Sequence, residues 1–247
     1  FNGVIEALRD RHDAPEVVHA LQGAARALLV LKKPAESLAL VERLEAVAPL
    51  APTTSRLVGE AALAAGDAAR ALKALERARA AAPDDIPLLV LLGAAYARTG
   101  DLAAAEGTLR RALELDDFAV AARVALGRAY ATGGRYDEAA AEFRAALDVL
   151  PSYGEAAFAL ANLACKRGHI REAVHVLVDL LIVDPYHLDG LVRLGSLLTA
   201  LGRTSEAGIA FRRVLHFDPG HQHALQGLEQ LLPSAGAAPV VLPDWSE

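Results

Sequence analysis

The chain has 247 residues, of which 53% are hydrophobic and 23% charged, a balance that excludes an intrinsically disordered polypeptide. Its formal net charge of −6 argues against general nucleic-acid binding. Its one cysteine, Cys165, excludes an intramolecular disulfide framework and a zinc site built from paired cysteines.

Alanine makes up about a fifth of the chain, far above ordinary usage. Alanine is the best helix former and a small residue, so the composition predicts helices packed at close range. No apolar run approaches the roughly 18 residues needed to span a membrane. Methionine is absent, even at position 1, which suggests a processed, trimmed or excised piece. A cytoplasmic protein is expected, or a periplasmic or membrane-associated one if a leader was removed.

The prolines set a period. Pro15, Pro49, Pro83, Pro151, Pro185 and Pro219 lie on one 34-residue grid, and the grid point at Asp117 falls in the turn-like pair Asp116-Asp117. Proline suits helix boundaries and not helix interiors, so the grid separates units. Gly66, Gly100, Gly134, Gly168 and Gly202 keep the same spacing, each followed five residues later by alanine. A glycine there supplies the positive φ that ends a helix. Apolar residues between these breaks recur at helical spacing, as in Leu89, Leu92 and Tyr96, then Ala105, Leu109, Ala112 and Leu113. Each unit is therefore read as two antiparallel helices. Gly59, Gly93, Gly127 and Gly195 fall mid-helix, where each costs about 0.5–1 kcal/mol against alanine. Close approach of a neighbouring helix is the expected compensation.

In chain order, residues 1–17 read as the second helix of a partial repeat or as an N-terminal cap, with Phe1, Val4, Ile5 and Leu8 on its apolar face. Six repeats follow at 18–51, 52–85, 86–119, 120–153, 154–187 and 188–221. Residues 222–232 are expected to form a capping helix, as a solenoid end requires. Residues 233–247 begin as a Pro-, Ala-, Gly- and Ser-containing linker and continue as Val240-Val241-Leu242-Pro243-Asp244-Trp245, which includes the only tryptophan. This tail reads either as a linker stub or as a short apolar segment that docks on the solenoid or on a partner.

The pattern resembles the tetratricopeptide repeat family. The strongest match is residues 120–153, with Leu126, Gly127, Tyr130, Gly134, Tyr136, Ala139, Phe143, Ala146 and Pro151 at the motif positions. The tryptophan that the family favours early in the first helix is replaced by Leu21, Ser55, Leu89, Arg123, Ala157 and Leu191. The resemblance implies an all-α superhelical solenoid of antiparallel helix pairs, with a concave groove lined by first helices, in which a protein or peptide partner binds.

No catalytic motif is present: no GxGxxG, no phosphate-binding loop, no HExxH and no GxSxG. No cofactor and no metal site are expected. His187, His221 and His223 could approach one another by superposition of repeats, but no acidic or sulfur ligand shares their spacing. A reactive thiol at Cys165 would need a cation on its side of the helix, and Lys166 is directed elsewhere.

Carried over by repeat position, the partner-binding residues implied by the resemblance are Val90, Arg98, Phe118, Val124, Arg128, Tyr153, Phe158, Asn162, Lys166, Tyr186 and Val192. They combine an apolar and aromatic cluster with a basic series that runs Arg26, Arg56, Arg98, Arg128 and Lys166. Such a track would steer a partner segment bearing acidic and apolar residues. The carboxylate clamp of the chaperone-binding subclass is not expected, because only Asn162 and Arg193 match it. The function expected is a non-catalytic scaffold or adaptor in a bacterial envelope, pilus, secretion or motility assembly. The alternative is an accessory domain of a larger transferase, kinase or peptidase.

Overall fold

The structure, a computed structural model, describes residues 15–47 and 51–231. These form thirteen helices and no strand: α1 (Pro15–Val30), α2 (Pro34–Val47), α3 (Pro52–Ala64), α4 (Ala68–Ala81), α5 (Ile86–Thr99), α6 (Leu102–Leu115), α7 (Val120–Thr132), α8 (Tyr136–Val149), α9 (Gly154–Lys166), α10 (Ile170–Val183), α11 (Leu188–Ala200), α12 (Thr204–Phe217) and α13 (Gln222–Gln230). Second helices start at 34, 68, 102, 136, 170 and 204, and first helices from α3 onward start at 52, 86, 120, 154, 188 and 222. Both series step by 34 residues. The chain divides into two compact units between Gly133 and Gly134.

The starts and stops follow from local chemistry. Asp67, Asp85 and Asp101 cap α4, α5 and α6 by accepting from the amides of Arg70, Leu88 and Ala104 at 3.0, 2.9 and 3.0 Å. Pro34 and Pro52 open α2 and α3, where a missing amide costs nothing. Each turn inside a helix pair from α3 onward reverses on a glycine with positive φ: Gly66, Gly100, Gly134, Gly168 and Gly202. The corresponding place in the first pair is Lys32, which carries the same left-handed conformation at φ 55° without glycine's freedom.

α1 corrects the expected first boundary. It begins at Pro15, so residues 15–17 belong to the first helix of a pair and not to a preceding helix. Val17 explains this, since it is buried with Leu21, Ala24, Val41 and Leu44. Residues 1–14 and the tail at 232–247 lie outside the described residues, and so do the readings that fell on them.

In the first unit, the mid-helix glycines of α3 and α5 are seats for a side chain of the second helix. A Cβ on Gly59 would collide with Leu75, and one on Gly93 with Leu109. In the second unit a Cβ on Gly195 of α11 would lie 2.6 Å from the Phe211 ring of α12. The register between glycine and seated residue is the same each time. Gly227 of α13 covers the other side of Phe211, and Ala224, Leu228 and Leu231 close that end of the cluster. The alanines that follow the turn glycines are fully buried, and Ser37 takes their place in the first pair, its hydroxyl donating to the Ala25 carbonyl at 2.9 Å.

Candidate functional site

The surface that distinguishes the second unit lies on its first helices, α9 and α11. Phe158 of α9 is half-buried. The Arg193 guanidinium of α11 lies over its ring, 4.3 Å from the centroid. The His187 ring meets Phe158 edge-on at 5.3 Å. His187 is itself held, since its Nδ1 accepts from the Gly190 amide at 3.3 Å and caps α11. Gly154 leaves room for its other nitrogen, because a Cβ there would meet His187 Nε2 at 2.5 Å. Burial lowers the Arg193 pKa from the ordinary arginine value, and the Asp189 charge opposes this.

Asn162 lies one helical turn beyond Phe158 and is half-buried. Lys166 follows another turn on and is exposed, its ammonium 5.1 Å from the centre of the Tyr136 ring. Tyr153 precedes α9 at the N-cap position and is half-buried. Tyr186 is 66% exposed, and its ring meets Phe217 of α12 edge-on at 5.3 Å. Phe158, Asn162, Lys166, Arg193 and His187 thus offer an aromatic face, an amide and cationic groups along one pair of neighbouring helices.

Val192 corrects the expectation for this surface. It is 8% exposed and packs in the cluster with Leu191, Leu197 and Phe211. In the first unit Val124 is 2% exposed and equally unavailable. In both helices the short valine side chain turns into the joint between helices. The larger Phe158 occupies the same place in α9 and reaches the surface. Val90 is half-buried against Leu89, Ala112 and Ala122. Phe118 is 72% exposed on the loop before α7, and Arg128 is exposed on α7.

The basic series is partly spent on the protein itself. Arg56 pairs with Glu60 at 3.0 Å and with Asp85 at 3.1 Å, and Arg98 donates to the Leu63 carbonyl. Burial pushes the Cys165 thiol up, so it stays protonated at neutral pH. The His187 ring packs on Phe158, and the ring centroids of His221 and His223 lie 5.9 Å apart. Among the described residues no group of three or more His, Cys, Asp or Glu is arranged to hold a metal ion. No described helix is long and apolar enough to cross a membrane.

Sequence profiles of the tetratricopeptide repeat match residues 62–126 and 130–185 in one case, and 23–86 and 158–221 in another. The chain belongs to the tetratricopeptide repeat family. Its fold is the all-α repeat fold of solved relatives. A thermophilic tetratricopeptide protein of Thermus thermophilus superposes with a TM-score of 0.65 at 24% identity, over 74% of this chain and 99% of that one. A tetratricopeptide repeat protein of Parabacteroides merdae gives 0.67 at 17% identity, over 93% and 90%. PilW, a widely conserved type IV pilus biogenesis factor, gives 0.62 at 18% identity, over 87% and 100%. No curated protein matches the chain.

Within this tetratricopeptide protein, Arg193 is the surface residue that the groove assignment left out. Its own repeat signal is visible once the 34-residue step is applied. The corresponding places hold Gly23, Leu57, Leu91, Ala125 and Ala159, so a charged residue there breaks an otherwise small or apolar series. Phe158 is the one aromatic residue in its series, against Gln22, Arg56, Val90, Val124 and Val192. The two exceptions meet in space.

Proposed function

We propose that the protein is a non-catalytic interaction scaffold whose α9–α11 surface holds a partner segment. The observation that carries this reading is the Phe158 ring, set between the Arg193 guanidinium and the His187 ring on the first helices of two successive pairs. Aromatic and arginine side chains supply most of the energy at protein interfaces. Here both are half-buried and already packed on one another, so binding costs these two residues little more side-chain entropy. Lys166 and Arg193 suit an acidic residue in the partner, and Phe158 an apolar one. Phe118, Arg98 and Arg128 of the first unit belong to the same proposal as separate contacts.

The setting we propose is a bacterial multiprotein assembly of the envelope, pilus, secretion or motility machinery. The shared architecture with PilW supports it.

The test is site-specific photo-crosslinking from position 162 in source cells, followed by identification of the captured chain. One partner should dominate. Its capture should fall at least about tenfold in a Phe158→Ala, Lys166→Glu variant that keeps its helical spectrum, as loss of a central anchor predicts. Undiminished capture by that folded variant overturns the assignment of the site.

A further inference from the structure

A second surface lies on the opposite helices of the last pairs. α10, α11 and α12 line an apolar cleft of about 300 Å³ whose walls include Val178, Ile182, Leu194, Ile209 and Arg213. Ile182 is 71% exposed and Ile209 61%. The equivalent places in the other repeats are of a different character. The place of Val178 holds Glu42, Glu76, Arg110, Arg144 and Arg212, so valine is the one uncharged residue in that series. The place of Ile182 holds Ala46, Ala80, Glu114, Asp148 and His216. The chain has thus put valine where every other repeat has a charge, and isoleucine where the others have alanine or a polar residue. Exposed apolar area of this kind marks a surface meant to be covered.

The covering segment is indicated by the path of the chain. Leu231, the last described residue, lines an adjoining cleft with Leu225, Leu228 and Ile209. Ile209 belongs to both clefts, so the chain leaves α13 beside the aliphatic surface. Eight residues separate Leu231 from Val240, a reach of up to about 30 Å. Beyond them come Val240, Val241, Leu242, Pro243, Asp244 and Trp245. The segment is apolar where the cleft is apolar. Arg213 borders the first cleft with Glu206, which is already paired with Arg203 at 2.7 Å, and Arg212 borders the second with Glu229, so the acidic Asp244 and Glu247 find a basic group at either cleft.

We propose that Val240–Trp245 docks intramolecularly in the cleft between α10 and α12, covering Val178, Ile182 and Ile209. The latch uses different side chains from the partner site: Leu191, Leu194 and Leu198 of α11 line the cleft, whereas Arg193 serves Phe158.

Trp245 is the only tryptophan, so its fluorescence reads the tail alone. In the full chain at high dilution, emission should be blue-shifted and iodide quenching several-fold weaker than for a free indole. The variant Ile182→Lys, Ile209→Lys alters only exposed positions and should release the tail, with red-shifted emission and full quenching. Val241→Asp, Leu242→Asp should do the same while leaving the helices untouched, which guards against misfolding of the first variant. A wild-type Trp245 that quenches like free indole overturns the proposal. So does emission that ignores both variants. A blue shift that vanishes on dilution together with a dimer in light scattering also overturns it, and assigns the cleft to a second copy.

Discussion

The Arg193 guanidinium lies over the Phe158 ring, 4.3 Å from its centre. The two residues are 35 positions apart, on α9 and α11, and each departs from its own repeat series. The contact ties two first helices together as well as presenting a surface. A double-mutant cycle with Phe158→Leu and Arg193→Met, read by urea denaturation, should give a coupling of about 1 kcal/mol. Additive losses would mean that the stacking contributes nothing beyond packing.

Gly195 is required by Phe211. Gly195→Ala drives a methyl into the ring, which Gly227 holds from the other side, so neither partner can retreat freely. The expected loss is about 1–3 kcal/mol. Adding Phe211→Leu should recover part of it, because the pair then matches Ala161 and Leu177, which share one buried cluster in α9 and α10. Thermal and chemical denaturation of the two variants checks this.

Lys32 bears a left-handed conformation that glycine bears in the later turns. Lys32→Gly should therefore stabilise the protein by about 0.5–1 kcal/mol, the left-handed penalty relieved minus the entropy that glycine adds to the unfolded chain. Gly100→Ala, at φ 90°, should destabilise by about 1 kcal/mol or more. A Cβ on Gly100 would meet open space, so its denaturation midpoint reads the backbone cost without a packing clash.

Tyr96 donates its hydroxyl to the Glu76 carboxylate. That bond, and then burial, raise the phenol above its ordinary value of 10. Tyr130 is raised as well, chiefly by burial, with its bond from Arg110 opposing. The folded state thus retains protons that the unfolded state gives up, so stability is present below pH 10 and falls as pH rises above that value. Ultraviolet titration should show tyrosines ionising late, and Glu76→Gln should bring Tyr96 down. A Tyr96→Phe variant should flatten the alkaline loss of stability.

The repeat was legible because its punctuation is chemical. A left-handed turn admits glycine with little competition, as Gly66, Gly100, Gly134, Gly168 and Gly202 show, and proline is excluded from helix interiors. Mid-helix Gly59, Gly93 and Gly195 likewise announced a close approach. What approaches them was not legible: it is the side chain of Leu75, Leu109 or Phe211, not a helix backbone.

The surface was harder to read for a geometric reason. Repeat position assigns a residue to a helix and a turn, but a rotation of one residue swings a side chain by about 100°. That is enough to move Val124 and Val192 from groove to joint, while a larger side chain at the same place, Phe158, still emerges. In the sequence Arg193 stands out only as a fragment of the carboxylate clamp and not as a groove residue, because its partner lies in another helix pair.

Period, helix pairing, turn glycines and the lack of a catalytic motif follow from local rules that act within a few residues, so the amino-acid order was sufficient for them. The pairing of Phe158 with Arg193, the burial of Val124 and Val192, and the aliphatic cleft around Ile182 and Ile209 depend on how successive helices are rotated and packed. Those contacts join residues far apart in the chain, and only the folded arrangement brings them together.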